Sequence, residues 1–76
     1  MKDFSFEIIQ NIGIYSHLEK GQTSELNLVS FNGNEPKYDM RTWSEDHKRM
    51  GKGIRLTKEE LLNLRDIIVE YFENEK

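Results

Sequence analysis

The chain has 76 residues, 36% of them hydrophobic and 33% charged, with no cysteine and a formal net charge of −3. That length makes one domain, residues 1–76, whose core is modest and either marginal alone or completed by a partner. The lack of cysteine excludes disulfides, thiol catalysis and cysteine-based zinc sites, and no stretch has the pattern of a membrane span or a signal peptide. The expected setting is the cytoplasm, with nucleoid association compatible, no membrane and no cofactor.

Charge is unevenly spread. Residues 1–36 hold two lysines against five acids, and residues 59–76 hold one arginine and one lysine against six acids. Between them the sign reverses, because Lys37, Arg41, Lys48, Arg49, Lys52, Arg55 and Lys58 face only Asp39, Glu45 and Asp46. A local positive field of this kind suits phosphate, although charge runs are more often a solvated surface.

In chain order, Phe4 to Leu18 reads as extended, with Phe4, Phe6 and Ile8 alternating with Ser5, Glu7 and Ile9. The alternation breaks around Asn11-Ile12-Gly13-Ile14, which predicts a bulge or bend in one curved strand, or two short strands. Glu19 to Ser24 is a polar turn. Glu25 to Phe31 alternates again, with Leu26 and Leu28 on one face and Asn27, Val29 and Phe31 on the other. Asn32-Gly33 predicts a reverse turn, since both residues tolerate positive φ, and Pro36, lacking an N–H, belongs at the mouth of the next strand.

That strand, Pro36 to Trp43, has two unlike faces. A period of two sends Tyr38, Met40 and Thr42 to one side, expected to be core, and Lys37, Asp39, Arg41 and Trp43 to the other. Two cations and a large aromatic beside one carboxylate suit a ligand with flat rings and regularly spaced negative charges, namely single-stranded nucleic acid. Cross-strand packing of Trp43 and an Arg41–Asp39 ion pair are the structural alternatives for the same residues. Ser44 to Gly51 reads as a charged loop or helical turn and Lys52 to Leu56 as a last short strand.

Thr57-Lys58-Glu59-Glu60 has the form of a capping box and opens a helix expected to reach about Glu73. Its apolar residues, Leu61, Leu62, Leu64, Ile67, Ile68, Val69, Tyr71 and Phe72, spread over roughly 220° of the helical wheel. An arc near 100° is enough to lie on one sheet, so the excess predicts a further cover, most simply the same helix of a second subunit.

Catalysis has little support. Ser44, Asp46 and His47 are the residue types of a hydrolase triad, but neighbours in one loop do not easily form its relay. His17 and His47 lack metal-ligand spacing with further His or Cys, and Gly51-Lys52-Gly53 is not a phosphate loop.

The order of hairpin, Asp39-Met40-Arg41, charged loop, Lys52-Gly53-Ile54-Arg55-Leu56-Thr57 and capped helix resembles the positive cofactor four family of transcriptional coactivators. The stretches Glu25 to Gly33, Glu35 to Asp39, Trp43-Ser44, Asp46-His47 and Lys48 to Ile54 look like its small bacterial YdbC-type branch, and the similarity runs from about Phe6 to Phe72. The resemblance implies an α+β fold of ββββα order: a four-stranded, curved antiparallel sheet followed by one C-terminal helix, a homodimer through the helices, and single-stranded DNA bound across the sheets without catalysis. It also implies binding roles for Phe31, Arg41 and Lys52. The sequence departs from the eukaryotic pattern, with Asn32 and Asn34 where lysines are usual, Ser44 where an aromatic is usual, and no serine-rich acidic tail. Lys37 and Trp43 are the candidate replacements.

Together these readings nominate Phe31, Lys37, Arg41, Trp43, Lys48, Arg49 and Lys52 for nucleic acid, with bases stacked on Phe31 and Trp43 and phosphates met by the cations. They nominate Leu61, Leu64, Ile67, Ile68, Tyr71 and Phe72 for the dimer interface. The alternatives are single-stranded RNA, because stacking and phosphate pairing do not read the 2′-hydroxyl, and a protein partner.

Overall fold

Alternating apolar and polar residues, punctuated by glycine and asparagine turns, produce four strands and one helix. The computed structural model describes residues 5–75, so the expected strand residue Phe4 lies outside the described residues. Strand β1 (Phe6–His17) leads through a short 3-10 turn (Glu19–Gly21) to β2 (Thr23–Phe31), β3 (Lys37–Trp43) and β4 (Met50–Leu56), and helix α1 (Lys58–Glu73) closes the order. The strands form one antiparallel sheet in the order β1-β2-β3-β4. The fold is therefore α+β with the expected ββββα order.

The break in alternation near Gly13 resolves as one long strand. Along β1 the pairing with β2 slips between Ile8 and Gln10, between Asn11 and Gly13, and between Ile14 and Ser16. Each slip inserts an extra residue, and extra residues bend a strand and increase its twist. By contrast, β2 and β3 pair without interruption, with Thr23 opposite Trp43, Glu25 opposite Arg41 and Asn27 opposite Asp39. Strand β4 slips once, between the Arg41–Gly53 and Trp43–Met50 pairs. Asn32 and Gly33 take positive φ, and the Asn34 N–H donates to the Phe31 carbonyl at 2.9 Å to close the β2–β3 turn.

The face predicted to be core carries the helix, and the face predicted to be open to a ligand is largely closed by its own side chains. Glu25, Asn27, Val29, Phe31, Asp39 and Trp43 are the buried residues among those described, and they share the face predicted to be open to a ligand. Tyr38, Met40 and Thr42, predicted as core, are only half-buried. Side chains of the chain itself cover this face, termed concave: Phe6 and His47 lie on Trp43, Asn11 reaches Glu25 and Asn27, and Arg41 and Arg55 lie over Phe31.

The helix begins as its sequence dictates. The Thr57 hydroxyl accepts the Glu60 N–H at 3.1 Å and the Glu60 carboxylate accepts the Thr57 N–H at 2.9 Å. Helix α1 lies against β3 and β4 and faces Leu26 and Met40 on the convex side, where Leu61 and Leu64 are half-buried. No residue of the helix is buried. Ile67, Ile68, Val69, Tyr71 and Phe72 remain exposed, and Tyr71 and Phe72 meet edge to face at 5.0 Å. The chain's own sheet thus covers only part of the apolar arc.

The capping box sets the start of α1, so Thr57→Ala should lower stability by about 1 kcal/mol, and Thr57→Ser by much less. Urea denaturation reads this as a lower midpoint at unchanged slope; equal midpoints would mean that packing alone holds the helix start.

Candidate nucleic-acid interface

The concave face is built outward from a buried ion pair. Asp39 is fully buried, and Arg41, two residues along the same strand, clamps it with two parallel bonds of 2.7 Å from Nε and Nη2. Its remaining terminal nitrogen, Nη1, donates to the Gly51 carbonyl at 3.2 Å and lies 3.1 Å from Met50 Sδ. To do this, the Arg41 side chain must cross β4. Gly53 lets it cross, because a Cβ there would come within 2.6 Å of the Arg41 side chain and 2.7 Å of the Met40 carbonyl oxygen. The glycine of Lys52-Gly53-Ile54 is therefore explained by close approach of a neighbour.

Phe31 sits beneath two guanidinium groups, with the Arg41 Cζ 5.0 Å and the Arg55 Cζ 4.0 Å from its ring centroid. The ring is only 4% exposed, whereas Arg55 is exposed. Phe31, nominated for base stacking, therefore lies under two cations rather than open to solvent. The open plane on this part of the face belongs to Arg55, held on the ring by cation–π attraction. Arg55 was counted among the cations but not singled out as a site residue. Strand alternation would have found it, since it pairs with Asp39 across β3–β4 and so shares the face of Phe31 and Arg41.

Trp43, nominated as a stacking platform, lies in the core. It is fully buried, stacked on His47 at 5.5 Å and tilted against Phe6 at 5.2 Å. Its indole Nε1 is buried without a hydrogen-bond partner. A flat ring at the inner end of a curved strand is enclosed by the loop and strand that bend over it, which alternation alone does not reveal.

Beside Trp43 lies a polar cluster that the sequence reading did not isolate. Asn11 donates to Glu25 at 3.1 Å and to Asn27 at 2.6 Å, Asn27 donates to Glu25 at 3.0 Å, and Thr23 donates to the other Glu25 oxygen. His47 Nε2 reaches that same oxygen at 2.7 Å from the β3–β4 loop. Burial pushes the Glu25 carboxyl upward, but the bonds from Thr23, Asn27 and His47 outweigh it and hold the group below its ordinary value. The signal was present: Glu25 and Asn27 occupy alternate positions that lead directly to Val29 and Phe31.

The loop from Ser44 to Arg49 is organised by its own polar groups. Ser44 Oγ donates to Asp46 at 2.7 Å and accepts the Arg49 N–H at 3.0 Å, and the Lys48 N–H donates to Asp46 at 3.0 Å. The Lys48 N–H, followed by the Ser44 hydroxyl, lowers the Asp46 pKa. His47 is directed at Glu25 and Ser44 at Asp46, so these three residue types are not arranged as a nucleophile, base and orienting acid.

Of the predicted cations, Lys37, Lys48, Arg49 and Lys52 are exposed. Lys37 and Arg55 line a cleft at the Phe31 end of the face, and Arg49 lines a cleft at the Trp43 end. Lys52 lies at the β4 slip between them. Arg41 joins the two ends but is already balanced by Asp39. Exposed Lys37, Arg49 and Arg55 thus line clefts at the two ends of a hydrogen-bonded face.

The family model of Transcriptional Coactivator p15 (PC4) matches residues 18–67. An uncharacterized protein of Treponema pallidum (strain Nichols) is 44% identical over 66 residues, covering 87% of this chain and 78% of that protein.

Two outcomes test the buried base. Glu25 has a lowered folded pKa, so its ionised form stabilises the fold above its unfolded pKa near 4.5, and that contribution is lost as pH falls through the folded value. Urea titrations from neutral pH into this acidic range should show a steeper loss for the native chain than for Glu25→Gln. Trp43→Ala should cost about 3–5 kcal/mol, as for other buried aromatics, and so abolish most of the folded population rather than trim affinity. A folded Trp43→Ala protein with weakened binding would instead return Trp43 to the ligand surface.

Proposed function

The chain belongs to the Transcriptional Coactivator p15 (PC4) family, a non-enzymatic nucleic-acid-binding family, and on that basis we propose that it is a homodimeric single-stranded DNA-binding protein that tolerates most sequences. The observation that carries this reading is the outward-facing Arg55 guanidinium, held 4.0 Å above Phe31 among exposed cations. A guanidinium plane stacks on an unpaired base much as an aromatic ring does, and every base has such a face. Lys37, Lys48, Arg49 and Lys52 then meet the phosphates that follow, while Arg41 holds the plane of the face rather than supplying free charge. Duplex DNA hides its base faces, which favours the single strand.

The dimer reading is supported by the uncovered helix. Leu26 and Met40 with Leu61, Leu64, Ile68 and Val69 line an apolar groove of about 400 Å³, continuous with exposed Ile67, Tyr71 and Phe72. Exposed apolar area of this extent on a small domain favours burial against another copy. Similarity to a protein of Treponema pallidum supports the bacterial branch, and no described helix is long and apolar enough to cross a membrane. Cytoplasmic action is the reading that follows.

Fluorescence anisotropy with labelled oligo-dT, competed by an equal-length duplex and by matched RNA, tests binding. Single strands should compete best, with a log–log salt slope of about −0.7 for each phosphate met. Arg55→Lys keeps the charge and removes the plane, so it should weaken binding while leaving the salt slope intact. Equal competition by duplex, with no effect of Arg55→Lys, would favour a protein partner instead. Sedimentation of the same protein should give twice the chain mass, and Ile68→Asp should shift it to monomer or unfold it.

A further inference from the structure

The cleft at the β2–β3 turn contains a carboxylate that phosphate binding does not explain. Val29, Phe31, Asn34, Glu35, Lys37 and Arg55 line a space of about 220 Å³ at the end of the concave face. Glu35 is exposed there beside two cations, and the three ion pairs among the described residues, Arg41–Asp39, His47–Glu25 and Arg65–Asp66, leave it out. A free carboxylate beside Lys37 and Arg55 opposes any phosphate brought to them. On a surface that met only the backbone of a strand it would be a defect.

Its position is also fixed. The turn is closed by the Asn34 N–H on the Phe31 carbonyl at 2.9 Å and by the Ser30 hydroxyl on the Asn34 carbonyl at 2.6 Å. Asn32 is tied to Ser5 through both its backbone N–H, at 2.8 Å, and its side chain, which accepts the Ser5 N–H at 2.9 Å. Immediately after Glu35, Pro36 locks its own φ and holds the Glu35 backbone extended. The Asn34 and Glu35 side chains are thus presented from a braced turn next to the Arg55 plane.

We infer that this cleft is a guanine-reading subsite: a base of the bound strand stacks on Arg55 while the Glu35 carboxylate accepts its N1–H and N2–H. The chemistry is selective because a carboxylate only accepts hydrogen bonds. Guanine presents two adjacent donors on its Watson–Crick edge, suited to the two carboxylate oxygens. Adenine and cytosine each present an amino donor beside an acceptor nitrogen, and thymine presents one donor between two carbonyls that a carboxylate repels. The Asn34 amide, which can donate or accept, lies at the same rim to meet the remaining edge atoms. The rest of the face stacks and neutralises without reading, so tolerance along the strand and preference at one subsite coexist.

This inference rests on the proposed single-strand binding. The experiment uses the full chain and labelled oligo-dT strands carrying three isolated guanines, with matched strands carrying hypoxanthine, adenine or cytosine at those positions. Guanine strands should bind about five-fold or more tightly, the lower part of the range for a bidentate base contact. Hypoxanthine lacks the N2 amino group and should fall between guanine and thymine. In Glu35→Gln the guanine and all-thymine strands should bind alike. Equal binding of all strands by the native chain, or a guanine preference that survives Glu35→Gln, would overturn the subsite and leave single-strand binding standing. Failure to bind any single strand would overturn both.

Discussion

The clamp of Arg41 on Asp39 is the interaction on which the concave face depends. A fully buried carboxylate is costly unless its charge is met and its oxygens are bonded, and the two parallel bonds of 2.7 Å do both. Meeting that need dictates the rest. Arg41 must lie flat, its path crosses β4, and only a residue without a Cβ can stand at position 53. With Arg41 in place, Phe31 gains one guanidinium and β4 brings the second, so a strand of alternating residues becomes a layered surface of ring, cation and solvent. Charge neutralised inside the layer leaves the outer cations free for a partner.

The polar cluster around Glu25 serves the other end of the face in the same manner. Asn11, Thr23, Asn27 and His47 reach it from three separate parts of the chain, so bonding one carboxylate ties the bulged edge strand to β2 and the β3–β4 loop to both. Networks of this kind favour a single arrangement, because losing one member leaves the others buried and unsatisfied. This face is consequently held by hydrogen bonds as well as by the buried side chains of Val29, Phe31 and Trp43. That is an economical solution for a sheet of four strands with a helix on its opposite side only.

The helix shows the opposite character. Its start is determined locally by Thr57 and Glu60, but its far half extends past the sheet with Ile67, Tyr71 and Phe72 uncovered. The sheet's concave side mixes a hydrogen-bonded polar cluster with buried Val29, Phe31 and Trp43, while its convex side carries the helix over an apolar groove. The two faces therefore differ in chemistry, with exposed cations about one and uncovered apolar side chains on the other.

Much of this was legible in the residues. Alternation, the Asn32-Gly33 turn, Pro36 and the capping box marked four strands and one helix, because these signals act within a few residues of themselves. The excess apolar arc of the helix was likewise visible on the wheel. The division of faces along Lys37 to Trp43 was correct, yet the sequence could not show which face closes, since that depends on three slips in β1 and one in β4. Strand pairing and the β3–β4 loop enclosed Trp43 and Phe31, brought Arg55 over Phe31, and assembled Asn11, Glu25, Asn27 and His47 into one cluster. The sequence by itself determined the elements, their order and the residue types on each face; the tertiary structure alone decided which side chains of those faces are enclosed, because burial arises between strands and not along one.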